Sequence, residues 1–441
     1  MRRLIFATLS VIPANVFSVA VPPKRTAASR FRPALVATLL AMALFAYMPN
    51  AARAAPGGAD QLPEASGETE SGLATEASTP FDRAGMWIWY VDRSEGGNAL
   101  GIIARARRAG IGTLYVKAGD GGDYWSQFNP LLVDALHRGG LDVCAWQFVY
   151  GKSPLAEARV GATAVRDGAD CLAIDAEASY EGRYAAADTY VRSLRARIGA
   201  AFPLSLAGFP YVDYHPAFPY SVFFGPGGAT VDQPQMYWRA IGASVRAVYE
   251  HTYLFNRLWG HPIYPLGQTY MSPSRRELIG FRRYADSYGG RPPSWWDWQE
   301  TSQADWAALG ASTAGPIGGY RPIASQPLLR RGSRGDLVVW AQQHLAGAGE
   351  SLPLTGFFGP RTAAAVRSFQ LSRGLPVDGT VGTSTWPALL ETTPVRPRWS
   401  ARRARTRARG GARRLRPVPA SRPLSATLPA HAYEIRPGRA P

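Results

Sequence analysis

The chain has 441 residues, of which 46% are hydrophobic and 18% charged, with a formal net charge of +17. This length predicts two to three domains, or one large α/β domain plus a small one, with a core that needs no covalent staples. The positive charge is concentrated in the first fifty residues and after residue 394, so it says little about the nearly balanced middle and excludes no partner there.

Residues 1–54 read as a targeting segment. Lys24, Arg25, Arg30 and Arg32 precede an apolar run from Pro33 to Met48, and Ala52-Arg53-Ala54 fits a small-x-small cleavage site. The run is short for a membrane span. An earlier apolar run, Leu4 to Val21, leaves room for a later start codon or a longer anchor. Export to the extracytoplasmic side is expected. Residues 55–80, small, polar and acidic, are expected to form a disordered linker.

From residue 81 strand-like and helix-like segments alternate. The strands are MWIWYV (86–91), GTLYVKAG (112–119), LDVCAWQF (141–148), DCLAID (170–175), PLSLAGFP (203–210), VDQPQMYW (231–238), PIYPLGQT (262–269) and SWWDWQ (294–299). Helices are expected between them, with Ser272 as N-cap and Pro273 in the first turn of the one before residue 294. Eight strands alternating with helices over residues 81–322 predict an α/β fold, a (β/α)8 barrel. No G-x-G-x-x-G follows the first strand, which weighs against an open dinucleotide-binding sheet.

Chemistry in such a barrel sits at the C-terminal ends of the strands. Those ends carry Trp89 and Asp92, Lys117, Trp146, Asp175 and Glu177, then Gln235, Tyr237 and Trp238, and finally Trp296, Asp297 and Trp298. Flat aromatic walls with amides and carboxylates suit a sugar-binding cleft, because sugar C–H faces lie on rings while hydroxyls need donors and acceptors. Asp175 and Glu177 stand two residues apart, so an extended backbone turns both to one side. Two close carboxyls resist joint ionisation, and the one kept protonated can act as an acid. Glu177, with the longer reach, is assigned as the general acid and Asp175 as its partner. No cluster with metal-ligand spacing is visible, and no cofactor is expected. Cys144 and Cys171, the only cysteines, fall on neighbouring strands; one disulfide can join them, but two buried free thiols are the reading here.

The segment from YVKAGDGG through CLAIDAE resembles the family-25 glycoside hydrolases, the lysozyme-like muramidases. Asp175-Ala-Glu177, Val116-Lys117-Ala118 and Trp298-Gln299 stand where that family keeps its D-x-E, its IKA and its Trp-Gln. The first strand departs from the pattern: Asp92 takes the place of the family's strand-1 aspartate without its Gly-x-Asp-Val-Ser. A second resemblance is to the family-18 chitinases, through Asp170, Asp175 and Glu177, with Ala173 in place of that motif's middle acid. That likeness implies that the substrate's own acetamido oxygen is the nucleophile, held by Asp175 and Tyr237.

Residues 327–391 resemble the common peptidoglycan-binding module, a small three-helix fold. The likeness runs through Gly332, Gly335, Gln342, Gly356, Phe358, Gly359, Phe369, Gln370, Asp378, Gly379 and Trp386. Phe358, Arg361, Phe369, Gln370, Asp378 and Trp386 are its candidate binding residues. Residues 394–441, rich in Arg and Pro, are expected to be disordered and to meet anionic wall polymers rather than a specific nucleic acid. Together the resemblances imply a secreted, monomeric cell-wall hydrolase cleaving a β-1,4 bond in peptidoglycan or a related wall polysaccharide. The alternative is a glycan-binding protein with a degenerate barrel, favoured by the altered first strand and Ala173.

Overall fold

A computed structural model describes residues 78–313 and 315–400. The targeting segment and the linker as far as residue 77 lie outside the described residues, as does the tail from residue 401. The strands are β1 (Gly85–Ile88), β2 (Thr113–Asp120), β3 (Asp123–Tyr124), β4 (Asp142–Val149), β5 (Cys171–Ala176), β6 (Leu204–Ala207), β7 (Val231–Asp232), β8 (Leu266–Gln268) and β9 (Ser294–Trp296). Their order is β7-β6-β5-β4-β2-β1-β9-β8, every neighbouring pair parallel, with β3 paired antiparallel to β2. Parallel bridges Asp232↔Ile263 and Gln235↔Leu266 join the two ends of this row, so eight strands close into a ring. The strand expected over 231–238 is only two residues long. Pro234 has no N–H to donate, and the ladder resumes as a single bridge at Gln235.

Helices α1 (Ala99–Arg108), α2 (Pro130–Arg138), α3 (Pro154–Arg166), α4 (Tyr184–Ile198), α5 (Tyr220–Phe223), α6 (Trp238–Ile241), α7 (Val245–Asn256), α8 (Arg275–Ser287) and α9 (Gln303–Leu309) alternate with the strands. Local chemistry starts them. The Asn129 side chain accepts from Leu132 N, with Pro130 opening α2. For α8 the cap is Ser274, not the expected Ser272. Glu277 lies three residues after Ser274 and bonds back to its N–H, completing a capping box that Ser272 cannot make.

Strand alternation divides the apolar residues into two cores. One lies between ring and helices and takes Met86, Ile88, Leu114, Val116, Leu172 and Ile174. The other fills the ring with Trp87, Tyr115, Cys144, Trp146, Cys171, Ala173, Ala207, Tyr237, Leu266 and Trp296. Gly85 makes that filling fit, since a Cβ there would lie 2.5 Å from the Tyr115 ring. Cys144 and Cys171 are register partners inside the ring, with Cα atoms 4.5 Å apart, and form a disulfide rather than two free thiols. Facing positions on adjacent parallel strands bring the two sulfurs into bonding range.

Helices α10 (Asp336–Gly347), α11 (Pro360–Ser372) and α12 (Thr385–Leu390) make the small C-terminal domain. It packs directly on the barrel. Asp336, 1% exposed, accepts from Ser221 N at 2.7 Å and Ser221 Oγ at 2.6 Å in α5. Trp340 Nε1 donates to Leu258 O at 2.7 Å. Gly335 sits so close to Pro216 that a Cβ would meet it at 2.8 Å, and its φ of +112° suits glycine. The first residues after this domain also belong to the fold, contrary to the expected disorder from 394. Val395 N donates to Gln343 O, and the Trp399 ring lies 4.6 Å from that of Tyr184.

Candidate active site

The mouth of the ring holds a cavity of ≈ 230 Å³ lined by Trp87, Trp89, Lys117, Asp120, Trp146, Phe148, Tyr150, Asp175, Glu177, Ala207, Gln235, Tyr237, Leu266 and Trp296. β5 delivers the two acids. Glu177 follows the last strand residue with φ −129° and ψ −153°, so the backbone is still extended and both acids face the cavity. Gln235 ties them together: its Nε2 donates to Asp175 Oδ1 and Glu177 Oε1, each at 3.2 Å. Burial pushes the Asp175 carboxyl well above the usual carboxylate range, and the neighbouring Glu177 charge pushes it further, against the pull of Lys117. A carboxyl so placed stays protonated under conditions that ionise ordinary acids.

The walls are aromatic. Trp146 and Trp296 meet nearly edge to face at 5.2 Å, Trp89 lies 5.5 Å from Trp296, and Trp87 stacks on Tyr115 at 4.8 Å. Lys117 points up among the indoles of Trp89, Trp125 and Trp146, at 4.6, 4.4 and 4.8 Å from the ring centres. Its Nζ lies 2.7 Å from Asp120 Oδ2, and Tyr150 donates to Asp120 Oδ1 at 2.7 Å. Burial lowers the Lys117 pKa, and the hydrogen bond to Asp120 opposes that. Tyr237, 6% exposed, lies edge-on to Tyr270, and burial raises its hydroxyl pKa. The arrangement can lay a flat ring on indoles and present two acids, an amide and a phenol to its edge. Among the described residues no group of His, Cys, Asp and Glu is placed to hold a metal ion.

Of the residues singled out from the sequence, Asp175, Glu177, Gln235, Tyr237, Trp89, Lys117, Trp146 and Trp296 converge on this cavity, and four do not. Trp238 follows Tyr237 and so turns outward, donating to Glu277 Oε1 at 3.0 Å. Trp298 lies past the end of β9, where the chain bends away, and its ring packs on Trp306 at 4.8 Å. Asp297 accepts from Glu300 N at 3.1 Å, and burial, then the Glu300 charge, raise its pKa to about 7. Asp92 is exposed in the turn after β1. Sequence reading left out Trp87, Phe148 and Tyr150 as site residues. The same two-residue alternation from Trp89 and Trp146 leads to all three.

In the small domain five of the six candidates are structural. Phe358, Phe369 and Trp386 are buried, Trp386 Nε1 donating to Pro327 O at 2.8 Å. Gln370 bonds Asp378, Thr380 O, Thr385 and Gly379 N, bracing the turn before α12. Asp378 caps that turn, and the bond from Gln370 is the main cause of its lowered pKa. Arg361 alone of the six is an exposed side chain free of such a turn.

Among solved structures, the chain matches a peptidoglycan-binding protein from Clostridioides difficile in complex with glutamine hydroxamate at 38% identity and TM-score 0.14, covering 14% of this chain and 40% of that one. This chain therefore spans about two-fifths of that protein. A family 39 glycoside hydrolase from Bacteroides cellulosilyticus WH2 matches at 12% identity and TM-score 0.38, covering 58% and 68%. The Bacillus cereus spore cortex-lytic enzyme SleL matches at 11% identity and TM-score 0.38, covering 52% and 73%. The barrel assignment rests on the strand order and closure above, not on these overlays. An uncharacterized protein in the bpoA1 3′ region of Kitasatospora aureofaciens is 37% identical over 95 residues, 19% of this chain and 79% of that one. Residues 334–389 match the family described as "Putative peptidoglycan binding domain". The chain thus carries a domain of this peptidoglycan-binding family at its C-terminus.

Proposed function

We propose that the chain is an exported cell-wall glycoside hydrolase that cleaves a β-1,4 bond beside an N-acetylated sugar in peptidoglycan. One observation carries the reading: two carboxyls, bridged by one amide, stand in an indole-walled cavity of a chain that also holds a peptidoglycan-binding domain. The proton that burial keeps on Asp175 passes to Glu177, which gives it to the leaving glycosidic oxygen. Asp175 and the Tyr237 hydroxyl hold the acetamido group, whose carbonyl oxygen bonds to the anomeric carbon as the glycosidic C–O bond breaks. Water then opens that ring intermediate and returns the proton to Glu177. The indoles of Trp89, Trp146 and Trp296 would carry the sugar faces. Arg361 and its surroundings would meet the wall, and the arginines of the tail would add salt-sensitive attraction to anionic polymers.

A second reading has its own support. Ala173, fully buried beside the disulfide, leaves the acid pair without the third carboxyl of the family-18 pattern. On that reading the barrel grips glycan without cutting it. A zymogram against peptidoglycan, run with wild type and Glu177→Gln, separates the two. Clearing by the wild type alone supports the hydrolase. Equal clearing by both removes Glu177 from its role, and no clearing by either supports the binding protein. Mass spectrometry of the released reducing ends would name the bond.

A further inference from the structure

Lys117 is wholly buried at the mouth of the ring, and an irregularity in β2 sets its surroundings. Along β2 and β4 the register pairs Lys117 with Trp146, then shifts to pair Gly119 with Gln147 and Asp120 with Phe148. A bulge of this kind re-aims the side chains that follow it. In a regular strand Lys117 and Asp120, three residues apart, would face opposite sides. With the bulge both line the cavity, beside Trp146 and Phe148. Gly119 lets the chain pass close to α3 here, since a Cβ would lie 2.3 Å from Val160 Cγ1. The row continues onto β5, where Asp175 is the other register partner of Phe148. Asp120 and Asp175 thus share one row of the cavity face, two strand spacings or roughly 10 Å apart at the backbone.

Two opposite charges therefore act on Asp175 from β2. The Lys117 ammonium lies 2.7 Å from Asp120 Oδ2, which draws it into the row of the acid. The indole faces of Trp89, Trp125 and Trp146 attract the same charge and offset part of the cost of its burial. Tyr150 donates to the second oxygen of Asp120 at 2.7 Å and fixes that carboxylate in turn. The Lys117 charge favours the Asp175 carboxylate, and the Asp120 charge disfavours it. The other polar groups that act on Asp175 are Glu177 beyond the end of its own strand, Gln235 through its hydrogen bond, Tyr150 and Tyr237. Of all these groups only Lys117 is a cation.

We propose that Lys117, held by the β2 bulge and Asp120, is a positioning residue that governs when the Asp175–Glu177 pair holds its proton. This role rests on the hydrolase reading and deepens it, but it can be measured without turnover. The full chain, labelled with ¹³C at the aspartate carboxyls, is titrated by NMR, and the Asp175 resonance is identified by its loss in Asp175→Asn. Lys117→Met removes the charge and keeps an unbranched apolar stem among the indoles, so the Asp175 midpoint is expected to move to higher pH. Asp120→Asn removes the opposing charge from a half-buried side chain, so the midpoint is expected to move to lower pH. Shifts in these two directions support the role, because a loss of packing has no sign that follows the charge. A midpoint that stays in place in either variant, or that moves against these signs, overturns it. If Lys117→Met does not fold, Asp120→Asn decides by the same rule. The remaining aspartate resonances report the fold of each variant in the same spectra. In peptidoglycan hydrolysis the alkaline limb of the pH profile is expected to follow the midpoint in each variant, and a limb that stays fixed while the midpoint moves also overturns the role. A wild type that does not hydrolyse peptidoglycan sinks the hydrolase reading, while the titration still decides whether Lys117 governs Asp175, so the two failures are read apart.

Discussion

Gln235 and Gln370 are the same residue in two regions, and they serve opposite ends. Gln370 in the small domain is wholly buried, and every polar atom of its side chain closes a turn of its own domain. Gln235 at the barrel mouth is half-buried and turns its amide to two carboxyls that gain little stability from standing together. The first arrangement lowers the energy of the fold. The second holds a carboxyl in a protonation state that water would not favour. A buried polar network that braces itself marks scaffold, and one that leaves acids facing a cavity marks a site.

The largest expected effect falls on the barrel. Removing the proton donor by Glu177→Gln should cut peptidoglycan cleavage by about 10²–10⁴-fold with the melting temperature almost unmoved. Reducing-end release and calorimetry on the same samples check both halves. In the small domain the order reverses. Trp386→Ala empties a core site and should cost about 3–5 kcal/mol, abolishing retention on peptidoglycan sacculi while turnover of soluble oligosaccharides persists. The two glutamines make a closer contrast. Gln370→Ala leaves Gly379 N–H and Thr380 O to find new partners and should cost about 1–3 kcal/mol in urea unfolding. Gln235→Ala should cost less in stability and more in turnover. If Gln370→Ala proves the more harmful to turnover on soluble substrate, the contrast fails.

The smallest effect is a gain. Asp175 has a raised folded-state pKa, so above the ordinary value near ~3.9 the unfolded chain has lost a proton that the folded chain keeps. Stability from this group is therefore complete below that pH and declines as pH rises towards the folded-state pKa. Asp175→Asn removes the ionisation, so its melting temperature should match wild type near pH 3 and exceed it near pH 7, while turnover falls. A melting-temperature difference that shrinks with rising pH would contradict this sign.

Much was legible along the chain. Alternation on a strand put Asp175 and Glu177 on one face, and its place at a strand's C-terminal end put Trp146 in the same mouth. In the small domain Gly356 and Gly379 take the positive φ that suits glycine, and Pro360 opens α11. The errors came where the period breaks. Trp298 and Trp238 looked like cleft walls because they adjoin true ones, but β9 ends at Trp296 and α6 begins at Trp238, so neither continues an inward row.

The linear order of residues thus determined which side chains share a face, because that follows from a repeat of two or 3.6 residues in the backbone itself. Which faces meet was decided only by the closed ring. Cys144 finds Cys171 through the register of β4 and β5, and Gln235 reaches both acids across β6. Asp336 docks on Ser221 across 115 positions of chain, and Trp340 packs on Trp259 across the seam this creates. These contacts depend on strand register and domain packing between distant segments, and no local repeat encodes them.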